Sequence, residues 1–325
     1  MSKFQSPRRA FILSLTLLAT STVFAATWPN GPVRIVVPYS AGGSTDIVAR
    51  MIATKLAPVI GQSVIVENIT GGGGIIGMQH IVNGASDGSS MVLTGTGALT
   101  VVRHTNRKMQ FDPYTSLTPV TLINTLPHWI VVRSDRPENS FAEFVDSIRK
   151  NPGKVSISVN AFGGTAHLAL ANWAKENKLD ITIVPTRGSS AAMLDVIGGN
   201  TSAHLDVVGS TMAFVTSGKV KTLAVLQEAP LADYPKFPVS PPKDKGGLLV
   251  QGEHVLAVKA GTSPAIVDRI NEAVRKVIAD REFLDLMKNL GYEPLNMSPA
   301  DARKSLERDT ERYKEIVRST GITIE

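Results

Sequence analysis

The 325-residue sequence contains no cysteine, and only 19% of its residues are charged and 6% aromatic. The absence of cysteine excludes disulfide bonds, thiol catalysis and metal sites built on thiolates. No basic cluster with interleaved aromatic residues occurs, so the sequence predicts no nucleic-acid partner. The six histidines show no metal-ligand spacing, so we expect neither a metal site nor a cofactor.

The chain is instead rich in apolar residues, which make up 43% of it. At this length, that content can fill the cores of two domains. An exported chain without disulfides must rely on a core of this size for its stability.

The first 25 residues are predicted to be a signal peptide. Three basic residues and no acid lie in the first nine positions, and an apolar run follows over residues 10–25. Val23-Phe24-Ala25 places small residues where a signal peptidase cuts. The run is too short to be a convincing membrane span, so we expect a periplasmic mature chain.

The export route stays open, because Arg8-Arg9 also fits a twin-arginine signal and the ordinary secretory route uses similar residues. Removal of the signal peptide lowers the formal net charge from +6 to about +3. That charge mildly favours anionic solutes.

Residues 33–50 are typical of a strand, a tight loop and the start of a helix. Gly42-Gly43 ends the β-branched run, and we expect Ser44 or Thr45 to cap the first helical turn. Free N–H groups, hydroxyls and a helix N-terminus then meet at one point, which suits a carboxylate as well as a phosphate. An ordinary βα turn is the alternative interpretation.

The same order of strand, small-residue loop and helix returns over residues 155–176 and again over residues 181–197. Strands that alternate with helices at such short intervals indicate an α/β fold with mainly parallel, doubly wound sheets. Loops at the carboxyl ends of these strands line the ligand crevice. Residues 40–45 and 95–97 form two such loops, rich in amides and hydroxyls.

Two breaks in the pattern predict the domain limits. Pro127 interrupts two apolar segments, and five prolines make residues 230–247 irregular. A strand over residues 255–258 then returns the chain to the first domain. We therefore predict one lobe from residues 26–125 with 248–325, and a second lobe from residues 126–247.

Three serines mark helix starts. Ser140 with Glu143 fits a capping box, and Ser263 and Ser298 each precede a proline. We therefore predict helices that begin directly after these serines.

Two motifs suggest enzymes but lack the required context. Residues 72–77 satisfy G-x-G-x-x-G, but no acid lies near position 97, where a ribose-binding residue is expected. Residues 84–88 satisfy G-x-S-x-G but follow a helix and precede a strand, the reverse of a nucleophile elbow. We predict no enzyme. An exported α/β hydrolase-like enzyme that uses Ser86 remains the alternative.

Three stretches together resemble a known family: VPYSAGGSTDIVAR with VENITGGGGIIG, then NAFGGTAHLA, then VPTRGSSAAMLDVIGG. They resemble the solute receptors of tripartite tricarboxylate transporters, the Bug-type periplasmic binding proteins. The resemblance spans residues 28–321. It implies a two-lobed, Venus-flytrap architecture of the type II periplasmic-binding-protein class, with no catalytic activity.

The resemblance further implies a monomer that captures a small organic carboxylate between its lobes and delivers it to membrane permease subunits. It assigns ligand contacts largely to backbone amides and hydroxyls. The first lobe would supply Tyr39, Ser40, Ala41, Gly43, Ser44, Thr45 and Asp46. The second would supply Phe162, Gly163, Gly164, Thr165, His167, Thr186, Gly188, Ser189 and Asp206.

Several details stay open at this stage. We expect the Asp46 side chain to turn toward the loop, with its backbone amide facing the ligand. Arg187 can pair with a second carboxylate or remain solvated, and Arg103 and His104 are weaker candidates. The sequence does not name the carboxylate, and a receptor that serves a sensor kinase remains an alternative to one that serves a permease.

Overall fold

The computed structural model describes residues 28–106, 109–186 and 188–323. The predicted signal peptide and Arg187 lie outside the described residues. Within the described chain, no helix is long and apolar enough to cross a membrane.

Ten strands in the described chain form two five-stranded sheets. The strands are β1 (Val33–Val37), β2 (Val64–Asn68), β3 (Ser90–Gly95), β4 (Leu117–Thr125), β5 (His128–Arg133), β6 (Ser156–Val159), β7 (Thr182–Pro185), β8 (Ala203–Val207), β9 (Val220–Val225) and β10 (Glu253–Lys259). The α-helices of the described residues are α1 (Ser44–Ile60), α2 (Ile75–Asn83), α3 (Gly97–Thr100), α4 (Val102–Thr105), α5 (Pro113–Ser116), α6 (Phe141–Lys150), α7 (Thr165–Glu176), α8 (Ser189–Gly198), α9 (Val208–Thr216), α10 (Pro264–Ile278), α11 (Arg281–Leu290) and α12 (Pro299–Thr320).

The two sheets share one topology. The first has the order β2-β1-β3-β10-β4, and the second has the order β7-β6-β8-β5-β9. In the first sheet β1, β2 and β3 are parallel, and β10 runs antiparallel between β3 and β4. In the second sheet β5 takes the place of β10. The mixed but mainly parallel sheets with flanking helices confirm the predicted two-lobed α/β fold.

Each sheet has its own buried core, and we name the lobes after the sheets. Ile35, Ile52 and Leu93 are fully buried in the first lobe, together with Ile270 of α10 and Phe283 of α11. The C-terminal helices therefore close back on the first lobe, as the sequence predicts. Buried residues from β5, α6, β6 and α7 fill the core of the second lobe. The exact lobe limits stay a prediction.

Local sequence signals explain most helix starts. The hydroxyls of Ser140, Ser263 and Ser298 accept hydrogen bonds from the first turns of α6, α10 and α12, as predicted. From the sequence we do not predict helix α9 or the short helices α3, α4 and α5, and α3 already begins at Gly97 of the predicted loop over residues 95–97.

Candidate functional site

The loop between β1 and α1 is held by one buried carboxylate. Asp46 accepts hydrogen bonds from the Gly42 amide and Arg50 Nε through Oδ2, both at 2.9 Å, and from Asn68 Nδ2 through Oδ1 at 2.9 Å. Burial raises the Asp46 pKa, but these donors outweigh it and keep the pKa below its usual value. Its side chain therefore turns into the loop, as expected.

The loop between β6 and α7 in the second lobe is held by an equivalent hydrogen bond, from a glycine amide to a side chain four residues later, but the acceptor is a histidine. The Gly163 amide donates to His167 Nδ1 at 2.8 Å, the same spacing of four residues as from Gly42 to Asp46. Burial lowers the His167 pKa. The ring is neutral and carries its proton on Nε2, because Nδ1 accepts.

The backbone of the two loops also matches. Gly42 and Gly163 have left-handed φ angles of 80° and 69°, which favour glycine. The following Gly43 and Gly164 are extended N-cap residues with no side chain to cap the helix. The first amides of α1 and α7 thus lack both intrahelical and side-chain partners, which leaves them available to an anion.

The predicted capping by Ser44 or Thr45 is wrong. Both residues lie inside the first turn of α1, and their hydroxyls bond elsewhere. Ser44 Oγ accepts from Ser210 Oγ of α9 at 3.3 Å, and Thr45 Oγ1 lies 2.9 Å from His254 Nε2 of β10. Both hydroxyls serve tertiary contacts, so the first amides of α1 remain free.

A third loop, between β7 and α8, approaches a buried carboxylate at the end of β8. Asp206 accepts from the Val207 amide at 2.7 Å and from Asn160 Nδ2, and it lies 3.2 Å from His204 Nε2. Burial raises the Asp206 pKa, but contacts with His204, Ser189 and the Val207 amide lower it by more. The pKa of Asp206 therefore lies below its usual value. The carboxylate is thus fully engaged by the protein.

His204 and Asp206 form a buried pair. The Nδ1 atom of His204 lies 2.9 Å from the Ser158 hydroxyl oxygen and 3.0 Å from the Ser158 carbonyl oxygen, and its Nε2 atom faces the Asp206 carboxylate at 3.2 Å. Both side chains are completely buried.

The other predicted site residues of this loop lie at its two ends. Thr186 donates through its amide at 2.8 Å and its hydroxyl at 3.2 Å to the Val159 carbonyl oxygen. Gly188 is the N-cap of α8, with a φ of 133° and no side-chain cap, and Ser189 begins the helix. This is a third uncapped helix N-terminus at the carboxyl edge of a sheet.

The predicted aromatic residues differ in exposure. The Tyr39 hydroxyl lies 2.9 Å from Thr94 Oγ1, which places the ring beside the end of β3. Phe162 is 49% exposed and packs on His167 at 4.7 Å between ring centroids. Ser40 and Ala41 form the outer part of the first loop, where Ala41 is exposed.

The two lobes touch at the starts of α1 and α7. A Cβ atom on Gly97 of the first lobe would lie 2.1 Å from Thr165 Oγ1, at the first residue of α7. Ser44, the first residue of α1, meets Ser210, and the buried Tyr292 packs on Gly209. Both helix starts therefore take part in contacts between the lobes.

Arg103 and His104 lie elsewhere, beside a surface cavity of about 460 Å³ that Asp112 also lines. Arg103 Nη2 lies 2.7 Å from Asp112 Oδ2, and its guanidinium stacks on Tyr114. The charge of Arg103 is thus compensated locally. Among the described residues, no cluster of three or more potential metal ligands occurs.

Sequence reasoning missed several residues that hold the site together. They are Asn124, Asn160, His204, Ser210, His254 and Tyr292. Asn160, Ser210 and His254 contact a predicted site residue far away in the sequence, Asn124 acts through His254, and Tyr292 packs on Gly209 of the other lobe. Only His204 carries a local signal, because it lies two positions before Asp206 and on the same face of β8.

Comparisons with known proteins agree with this architecture. Residues 48–322 match the model of the tripartite tricarboxylate transporter family receptor. A UPF0065 protein from the tcbD-tcbE intergenic region of Pseudomonas sp. strain P51 is 30% identical over 311 residues, covering 94% of this chain and 91% of that protein.

Two solved structures are similar over almost their whole length. The periplasmic binding protein BugD has a TM-score of 0.81 and 30% identity, covering 92% of this chain and 100% of that one. R. palustris Rpa4515 with adipate has a TM-score of 0.84 and 27% identity, covering 91% and 99%.

Proposed function

The chain belongs to the tripartite tricarboxylate transporter receptor family, and we propose that it captures a small organic carboxylate between its two lobes. The observation that carries the proposal is the matched pair of loops, residues 40–45 and 161–165. Each offers free helix-start amides to an anion. The interlobe contacts at Ser44 and Thr165, the first residues of the two helices, support a shared cleft. The related R. palustris protein with adipate supports a carboxylate as the ligand class.

The binding groups suit reversible capture. Asp46 and Asp206 are engaged by protein donors, so neither opposes an anionic ligand with a free charge. Amides and hydroxyls bind a carboxylate without a buried fixed cation, which avoids a large desolvation cost. A ligand that touches both lobes stabilises the closed form, because it makes all its contacts only there.

We further propose that the mature protein is a periplasmic monomer that passes its ligand, chemically unaltered, to membrane permease subunits. Family membership supports the permease as the partner. A receptor that served a sensor kinase would bind the same ligand. Uptake of the labelled ligand by cells with and without this chain separates the two roles: loss of uptake supports the permease.

A thermal-shift screen against di-, tri- and aromatic carboxylates tests capture. A ligand that binds only the folded state at about 100 times its Kd adds roughly 2.7 kcal/mol of stability, so Tm rises by several degrees. Thr165→Ala should weaken the best ligand. The proposal fails if no carboxylate raises Tm, and unchanged affinity in Thr165→Ala removes that loop from the site.

A further inference from the structure

The hydroxyl of Thr45 has its proton fixed by a relay of two buried residues. Asn124 Nδ2 donates to the Thr125 carbonyl oxygen at 2.7 Å, so Asn124 Oδ1 is the atom that faces His254 Nδ1 at 3.1 Å. His254 Nδ1 must therefore carry the ring proton, which leaves Nε2 as an acceptor. The hydroxyl of Thr45 donates to that nitrogen at 2.9 Å.

Toward a ligand, Thr45 Oγ1 can therefore act only as a hydrogen-bond acceptor. A hydroxyl has one proton and two lone pairs, and the proton is used by His254. Burial lowers the His254 pKa to about 3, and Asn124 carries no charge that would stabilise an imidazolium. The ring is therefore a poor base, and Thr45 stays a hydroxyl and does not act as a nucleophile.

The relay adjoins the residues where the two lobes meet. Ser44, which precedes Thr45, touches the second lobe through Ser210. His254 pairs in register with Gly95, two residues before the Gly97 contact with Thr165. Thr45 also belongs to the first turn of α1, so its hydroxyl lies near the free amides of that helix.

The second lobe has an acceptor of its own at the carboxyl edge of its sheet. Asn160 Nδ2 donates to Asp206 and, at 3.3 Å, to Ser189 Oγ. Asn160 Oδ1 is buried and has no donor among the described residues. A buried carbonyl oxygen without a donor has lost its hydrogen bonds to water without replacement, so a ligand that supplies a donor gains affinity.

We propose that the ligand is a carboxylate that also carries a hydrogen-bond donor: either a hydroxyl, which can donate to one of the two acceptors Thr45 Oγ1 and Asn160 Oδ1, or an ammonium group, which can donate to both. This inference rests on the proposed function and narrows its ligand class. Plain dicarboxylates offer only acceptors once ionised, so they leave both protein acceptors unpaired.

Calorimetric titration of the purified protein with three C4 acids tests the inference: succinate without a donor, malate with a hydroxyl and aspartate with an ammonium. The same comparison is made at C5 with glutarate, 2-hydroxyglutarate and glutamate. We expect at least one donor-bearing acid to bind about 10- to 100-fold more tightly than its plain parent. Preference for malate identifies a hydroxyl, and preference for aspartate identifies an ammonium.

Two variants test the role of Thr45 itself. Thr45→Val keeps the shape but removes the acceptor, so the preference for donor-bearing acids should fall toward unity. Thr45→Ser retains the hydroxyl and should restore the preference. If Thr45 had only a structural role, Thr45→Val would lower the affinity for the plain and the donor-bearing acid equally. The ratio of the two affinities would then stay unchanged.

The outcomes are distinct. Equal binding of plain and donor-bearing acids overturns this inference and leaves carboxylate capture intact. An unchanged preference in Thr45→Val also overturns it. Failure of every carboxylate to bind overturns the proposed function, and this inference with it. The wild-type titrations alone decide the matter if Thr45→Val does not fold.

Discussion

The Tyr292 ring of the first lobe lies directly against Gly209 of the second. A Cβ atom on Gly209 would stand 2.5 Å from the Tyr292 hydroxyl oxygen and 2.7 Å from Cζ. Gly209 lies in a helix and has no unusual backbone angle. Glycine is needed here because any larger side chain would collide with the Tyr292 ring. The contact joins the two lobes in this structure.

Gly209→Ala should therefore oppose closure without harming the fold. Alanine is favoured over glycine in a helix by about 1 kcal/mol, so the unliganded protein should keep its Tm. We expect carboxylate affinity to fall at least about tenfold, since closure displaces Tyr292. Calorimetry gives the affinity, and small-angle scattering gives the radius of gyration.

Gly198→Ala in the last turn of α8 is the matched control, because its nearest neighbour would lie 3.8 Å from the new Cβ. It should bind as the wild type does. Full affinity and full closure in Gly209→Ala would show that the Tyr292 contact does not limit closure.

Asp46→Asn should destabilise the first loop. Both carboxylate oxygens accept from protein donors, so an amide NH₂ group in place of one oxygen faces another donor. We expect a loss of about 1–3 kcal/mol in the free energy of unfolding, measured by urea denaturation. The partly exposed Arg34–Glu67 pair provides the control Glu67→Gln, with an expected change below about 1 kcal/mol. Equal effects in the two variants would contradict the role of Asp46.

Two buried histidines predict how stability depends on pH. Burial lowers the pKa of His128 to about 4, although Asp206 opposes the shift, and lowers that of His254 to about 3. Below pH 6.5 these two histidines bind protons in the unfolded chain but stay neutral in the folded protein. These rings therefore contribute stability that is fully present above pH 6.5 and lost as the pH falls toward 4.

The loss should be about 1.4 kcal/mol per pH unit for each ring. Urea denaturation between pH 6.5 and 5 measures the slope. His128→Gln and His254→Gln should each reduce the slope by the contribution of one proton. A slope that neither variant changes would mean that these rings are protonated in the folded protein.

Much of the fold could be predicted because its signals are local. The Gly42-Gly43 and Gly163-Gly164 pairs mark turns by backbone geometry alone, and Ser140 marks a helix start through a hydrogen bond three residues away. The internal repetition of strand, loop and helix further predicted two similar lobes.

The rest depends on contacts between distant parts of the chain. The partner of Thr45 lies 209 residues away, and no local pattern indicates that its hydroxyl bonds there and does not cap α1. Helix α9 is apolar and has no side-chain cap, so it lacks the usual start signal. Tyr292 follows an ordinary helix end and gains its role only from the facing lobe.

The central claim is that one carboxylate is held by free helix-start amides from both lobes at once. Hydrogen–deuterium exchange of the protein with and without its best carboxylate ligand tests this most directly. We predict that the ligand slows exchange at residues 43–46 and at residues 163–166 together. Slowing confined to one lobe, or absent from both loops while the ligand is bound, would contradict the account.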